Sequence, residues 1–285
     1  MKYPKLVATA VGAAMAAATL ATATLTGTAQ ATSPHAGVAQ QQAPASAKPT
    51  VVLVHGAWAD AAGWTPVVEK LQAAGYPVVA PPNPLRGLTS DAAYIHSVVQ
   101  QIKGPVILVG HSYGGAVITD AAVDAPNVKA LVYIAAFAPD QGDSLATLNG
   151  RPEASQIPPV PANPSSYPLP DGTTGTELTI DPVQYPTVFL NNLLKPAQAQ
   201  ALAVEQRPLS VASATQPSGT PAWKTVKSWY MVAKQDDAIA PNLERFMASR
   251  AGAQTVEVDG PHLIMLIKPE AVTDLIEKAD AGTAN

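Results

Sequence analysis

Val106-Ile107-Leu108-Val109-Gly110-His111-Ser112-Tyr113-Gly114-Gly115-Ala116-Val117-Ile118 is an apolar, mostly β-branched run that stops at a glycine-flanked serine and resumes as a run of small residues. Its first four residues have the length and branching of a buried strand. Its last four predict a helix packed closely on that strand. Between them stands G-x-S-x-G in a strand-turn-helix setting, the context in which that pattern carries chemistry. A serine on so sharp a turn is lifted clear of the sheet, and side chains on either side of it would collide. The helix start then aims backbone N–H groups and the positive end of its dipole at the place where an oxyanion would form. The plain alternative, a glycine-rich packing turn, needs neither the strand before it nor the helix after it.

Outward from this turn the same alternation continues. Val51 to Val54, Val78 to Ala80, Ala130 to Ile134, Ser228 to Val232 and Thr255 to Val258 are further short strand candidates. Helical segments separate them, so the chain predicts an α/β fold with a mostly parallel central sheet and helices on both faces. After Thr89-Ser90, Tyr94, Ile95, Val98, Val99 and Ile102 share one helical face, whereas His96, Gln100 and Lys103 share another. Leu243, Phe246 and Met247 repeat the spacing after Pro241, and Val272, Leu275 and Ile276 after Pro269, each proline suiting a first helical turn.

The rhythm fails between about residues 139 and 221, where Pro, Ser, Asn and Gly accumulate. Tyr185, Val188, Phe189, Leu193 and Leu194, then Ala201, Leu202 and Val204, are too apolar to leave in water, so the stretch is expected to be an inserted lid rather than a disordered loop.

Composition narrows the class. The chain has 285 residues, 47% hydrophobic and 13% charged, with a net charge of -4, which fits one ordinary domain with a substantial core. Its 17 basic residues form no stripe for phosphates, so nucleic acid is not an expected partner. The absence of cysteine removes disulfides, thiolate zinc sites and a cysteine nucleophile. At the N-terminus, Lys2 and Lys5 precede an uncharged run from Leu6 to Leu25 and then Ala29-Gln30-Ala31, which predicts a Sec-type signal peptide over 1–31 with cleavage after Ala31. The Ala/Thr content of the run makes it a poor membrane anchor, so the mature protein is expected to be secreted with no stable anchor. Residues 32–49, rich in Ala, Gln, Ser and Pro, predict a flexible leader to a domain over 50–285.

Gly110-His111-Ser112-Tyr113-Gly114-Gly115 together with Val54-His55-Gly56-Ala57-Trp58 resembles the α/β-hydrolase superfamily. The resemblance is to its compact bacterial serine esterase branch, related to plant methylesterases and hydroxynitrile lyases. It extends from Thr50 to the C-terminal helix and includes Gln206-Arg207-Pro208, Ala222-Trp223-Lys224 and the segment from Arg245 to Ala253. It implies that the His-Gly turn after the first core strand and the residue after the nucleophile supply an oxyanion hole, here the amides of Ala57 and Tyr113. Of five histidines, His35 lies in the leader, His55 in the oxyanion turn, His96 on a polar helix face, and His111 beside the serine on a turn that should aim it elsewhere. His262 remains. It follows the last strand candidate through Asp259-Gly260-Pro261, the place where this fold brings its histidine over the serine. The resemblance also implies an acid in an alanine-x-x-Asp-x-alanine-isoleucine arrangement, which falls on Asp236 in Ala233 to Ile239; Asp237 is then a solvated neighbour or a helix cap, and Asp140 a more distant alternative.

Together these residues predict a serine esterase that cleaves small carboxylic esters through an acyl-enzyme on Ser112, with His262 as base and Asp236 as orienting acid. Trp58 and Trp64, with the lid, are candidates for the walls of an apolar substrate pocket, although core packing explains either equally well. No metal or organic cofactor is implied: H-E-x-x-H and G-x-G-x-x-G are both missing, and the histidines are scattered. Two other readings remain. A cofactor-free hydroxynitrile lyase shares the His-Gly-Ala-Trp resemblance but would carry a lysine after the histidine, where this chain has Leu263. A non-catalytic binding protein on the same fold would be expected to lack a member of the triad.

Overall fold

The computed structural model describes residues 48–284; the expected signal peptide (1–31) and nearly all of the leader (32–49) lie outside them. The chain begins with β1 (Thr50–Val54), α1 (Thr65–Ala73), β2 (Val78–Val79), α2 (Leu88–Gln100), β3 (Val106–Ser112), α3 (Tyr113–Ala121) and β4 (Val128–Ala136). An insertion follows: α4 (Leu145–Asn149), β5 (Ala162–Pro168), β6 (Thr174–Ile180), α5 (Tyr185–Leu190), α6 (Pro196–Val204), β7 (Leu209–Ser210) and α7 (Val211–Thr215). The chain then resumes its alternation with β8 (Ser228–Ala233), α8 (Pro241–Arg250), β9 (Gln254–Val258), α9 (Ile264–Ile267) and α10 (Pro269–Thr283).

β2-β1-β3-β4-β8-β9 form one six-stranded sheet in which every neighbouring pair is parallel. The period-2 alternation of strand side chains sorts each strand between two cores. Val52 and Val54, Leu108, Tyr230 and Val232 point toward α2, α3 and α8. Val51 and Leu53, Ile107 and Val109, Trp229 and Met231 point toward α1 and α10. Covering both faces is what permits near-continuous Val/Ile/Leu runs in parallel strands, and each fully buried aliphatic side chain contributes about 1.5–3 kcal/mol. Trp64 is wholly buried in the second core and does not reach the site, so of the two tryptophans singled out only Trp58 is a pocket residue.

The insertion has more order than its sequence suggests. β5 and β6 pair antiparallel around Asp171-Gly172, where Gly172 has φ 83°, and β7 adds to β6. Tyr185, Phe189, Leu190, Ala199 and Ala203 are buried as an apolar face should be, whereas Leu193 and Val204 are exposed. Three bonds tie the insertion to the turn after β1: Trp58 Nε1–H donates to Leu178 O (2.8 Å), Trp58 N–H to Arg207 O (3.2 Å) and Tyr185 O–H to Trp58 O (2.9 Å). The Arg86–Glu177 ion pair (2.6 Å) adds a fourth tie from the loop after β2.

Candidate active site

β3 ends in Ser112, whose φ of 53° and ψ of -126° belong to a region that a non-glycine residue enters only at a cost of about 1–3 kcal/mol. The packing shows why glycines surround it. A Cβ on Gly114 would stand 2.4 Å from Val54 O, and one on Gly110 2.5 Å from Gly114 O, so the turn closes only without them. Ser112 O accepts from Phe137 N–H (3.1 Å), which ties the turn to the end of β4.

Ser112 and His262 line a common cavity of about 410 Å³. His262 sits in the loop between β9 and α9, and Asp236 in the turn after β8; both are buried, at 2% and 1% exposure. His262 Nδ1–H donates to Asp236 Oδ2 (2.6 Å), while Asp236 Oδ1 accepts from Ala238 N–H (2.6 Å) and Ile239 N–H (2.8 Å). That arrangement leaves His262 Nε2 as the ring nitrogen free to take a proton. Of the other two aspartates considered, Asp237 is exposed with no side-chain partner among the described residues and does not cap α8, and Asp140 is held by Lys224 (2.7 Å).

Ala57 and Tyr113 also line this cavity. Tyr113, the first residue of α3, has no intrahelical acceptor for its N–H. Ala57 N–H donates to no protein group among the described residues, whereas the next amide, Trp58, is spent on Arg207 O. Behind Ala57, buried His55 donates from Nδ1 to Gly56 O (2.8 Å) and accepts Asn83 N–H on Nε2 (2.9 Å), and burial lowers its pKa to about 4. The turn is therefore held by a neutral imidazole. Tyr113 is held from its side chain, whose O–H donates to buried Asp91 (2.7 Å); Asp91 also accepts from Arg86 N–H (3.1 Å). Burial, more than these donors, sets the Asp91 carboxyl above the ordinary range.

His111 does not simply point away. Its Nε2–H donates to His262 O (3.0 Å) and its ring lies 4.6 Å from that of His262, so it holds the loop that carries the histidine. Burial keeps the His111 pKa far below its ordinary value, and His262 depresses it further. Asp91, Asn83 and the role of His111 carry no local motif and were not visible in the sequence. The lid was expected to help wall an apolar pocket, but the residues that do so were not named: Leu145, Ile157, Val160, Leu178 and Leu209 come from the insertion and make the cavity mostly apolar. Trp58 lines it from the β1 side with its ring 5.8 Å from Phe189, and Asn149 and Ser155 add polar groups at its edge. Among the described residues, no Lys, Arg, Asp or Glu side chain lines it, and no three His, Asp or Glu gather as metal ligands would.

A curated relative, the carbendazim hydrolyzing esterase of Nocardioides sp. (strain SG-4G), is 38% identical over 110 residues, which is 34% of this chain and 46% of that protein; the match spans about half the relative's length. Among solved structures, polyneuridine aldehyde esterase superposes with a TM-score of 0.68 at 20% identity, covering 81% of this chain and 98% of its own. Tomato methylketone synthase I gives 0.66 at 21%, covering 83% and 99%, and a pyrethroid hydrolase from Sphingobium faniae JZ-2 gives 0.64 at 22%, covering 82% and 98%. At these identities the structures speak for the fold alone. The model of the alpha/beta hydrolase family matches residues 51–275, from β1 into α10, and with the parallel sheet and the strained serine turn at the end of β3 it establishes that this chain belongs to the alpha/beta hydrolase family.

Proposed function

We propose that this protein is a carboxylic ester hydrolase working through an acyl-enzyme on Ser112. One observation carries the reading: a strained serine at the mouth of a helix shares a cavity with a histidine whose other nitrogen is bonded at 2.6 Å to a buried carboxylate. His262 Nε2 removes the Ser112 proton as Oγ attacks the ester carbonyl. Asp236 fixes the tautomer and stabilises the imidazolium, and the amides of Ala57 and Tyr113 receive the oxyanion. His262 then protonates the departing alkoxide, and water repeats the sequence on the acyl-enzyme. No hydrogen bond joins Ser112 to His262 in the resting arrangement; such contacts in free enzymes often close only around substrate. The esterase name of the sequence relative supports the same reaction class.

The cavity supports a substrate class. With an apolar lining and no charged side chain, it suits small, uncharged esters. Leu263 N–H bonds to Phe189 O (2.9 Å) and its side chain is buried, so the position that would hold a lysine in a plant hydroxynitrile lyase offers no cation for cyanide. With the export signal expected at 1–31, we place the mature enzyme outside the cell.

The test is active-site labelling. A fluorophosphonate should modify Ser112 stoichiometrically and abolish cleavage of p-nitrophenyl and methyl esters of graded chain length. Labelling elsewhere with turnover intact would overturn the acyl-enzyme, and mandelonitrile cleavage exceeding ester cleavage would favour the lyase. A folded protein that neither labels nor turns over either substrate would be a binding protein.

A further inference from the structure

α8 turns an acidic side chain into the protein interior, close enough to Asp236 to feel its charge. Glu244 lies among the buried residues Leu243, Met247 and Ala248 and is 0% exposed. Its Oε2 accepts Ala233 N–H (3.2 Å) at the end of β8, the same residue whose carbonyl accepts Asp236 N–H (3.2 Å), so the two carboxyls converge on Ala233, and the charge of Asp236 acts on that of Glu244. Two carboxylates cannot hydrogen-bond one another. Taken as ionised, Glu244 leaves Oε1 buried with no donor among the described residues.

The surrounding groups supply no cation to relieve the pair. On α8 itself, Arg245 turns outward onto Glu257, at 2.7 and 2.8 Å. Arg151, at the start of a single 3-10 turn (Pro152–Gln156) packed on α8, pairs with Glu153 (3.2 Å). Arg250, also on α8, is held by Asp143 (2.8 Å) and Ala138 O (3.1 Å); from β8 comes Tyr230, whose hydroxyl is spent on Ala136 O, and next to it come Asp236, exposed Asp237 and His262, which is bonded to Asp236. Like charges close together in so dry a place do not both ionise. Asp236 has the surroundings of an anion, with two backbone N–H groups and the imidazole N–H directed at it. Glu244 does not; burial, and next the charge of Asp236, push its carboxyl well above the usual range.

We infer that Glu244 is a positioning residue that carries a proton on Oε1 and donates it to the Asp236 carboxylate, giving the acid that orients His262 a further donor. This rests on the triad reading of Asp236. The proton holds Asp236 in place in addition to the imidazole and the two backbone N–H groups. It also fixes the charge of the cluster: Glu244, Asp236 and neutral His262 sum to minus one, and to zero once the imidazolium forms. An ionised Glu244 would add a second negative charge and change the basicity of His262.

Glu244→Gln keeps a donor and neutrality, whereas Glu244→Ala removes both. In the full chain, Glu244→Ala should lower kcat about tenfold or more with KM little changed, the scale of one lost hydrogen bond to a charged group. Glu244→Gln should recover most of that loss and leave the acidic limb of kcat/KM where the wild type has it. A limb displaced downward by about one pH unit or more in Glu244→Gln would mean that an anion had been removed, and the inference fails. The infrared difference spectrum between wild type and Glu244→Gln at neutral pH gives a readout independent of turnover. A protonated carboxylic-acid carbonyl band must disappear; loss of carboxylate bands alone overturns the proposal. That measurement decides the proton even if Glu244→Ala does not fold, or if ester cleavage proves not to be the reaction.

Discussion

Asp236→Asn is the most informative single change, because the surroundings of the carboxylate leave an amide no good orientation. Oδ1 accepts from Ala238 N–H and Ile239 N–H, and Oδ2 accepts from His262 Nδ1–H. If the amide oxygen keeps the two backbone bonds, its NH2 group faces His262 Nδ1, which must then accept. The ring proton moves to Nε2, and the nitrogen that faces the cavity can no longer take a proton from Ser112. If the amide flips, the tautomer is preserved but NH2 faces two buried N–H donors, and two bonds become two repulsive contacts at about 1–3 kcal/mol for each donor stranded. The first orientation is the less costly, so the protein should fold and the chemistry should fail, with kcat down on the order of 10,000-fold and KM little changed. Asp237→Asn, one residue on and exposed, should stay within about threefold of wild type, since exposed groups away from the chemistry shift energies only slightly. Steady-state hydrolysis of a p-nitrophenyl ester, with circular dichroism to confirm folding, measures both. Comparable small losses in the two variants would refute the assignment of Asp236 as the orienting acid.

Ser112→Ala should fold and lose on the order of a million-fold in turnover, with resistance to fluorophosphonate labelling as the check; wild-type-like turnover by a preparation free of contaminating esterase would end the serine mechanism. Tyr113→Phe removes the hydroxyl donor from buried Asp91, and differential scanning calorimetry should show a loss of about 2 kcal/mol, or roughly 4–8 °C in Tm; an unchanged Tm would mean that the pair does not brace the start of α3. Stability should also fall in acid through His55. Its pKa is about 4 folded against 6.5 unfolded, so below pH 6.5 the unfolded chain binds the extra proton. Stability is therefore fully present above pH 6.5 and declines by about 3 kcal/mol toward pH 4. Urea unfolding across that range measures the slope, and His55→Gln should flatten it; the same slope in both proteins would remove His55 as its source.

The parts of this fold that could be read in advance are those where a short stretch meets a local requirement. Val106 to Val109 had to be a buried strand because nothing else accommodates four consecutive branched apolar residues before a glycine-bracketed serine. Pro241 and Pro269 marked helix starts because proline at a first turn loses no hydrogen bond. The candidate triad residues came from the family resemblance together with their order in the chain, Ser112 before Asp236 before His262. The insertion obeys no such rule. β5 reads Ala-Asn-Pro-Ser-Ser-Tyr-Pro, largely exposed and polar, and is a strand only because β6 lies beside it. Its one local sign, the Asp171-Gly172 turn, was too weak without apolar strands on either side.

His111, Asp91 and Glu244 escaped for a related reason: they bond to partners 151, 22 and 11 residues away in the chain, respectively. A buried polar side chain becomes interpretable only once its partner is known, because burial without one is costly and burial with one is ordinary. The sequence thus exposes the groups that react, whose chemistry demands particular residue types at particular turns. The groups that hold them can be any donor or acceptor that the folded chain brings within 3 Å or so, and for Glu244 it is the lack of a cation nearby, visible only in three dimensions, that makes a carboxylic acid serve as a donor.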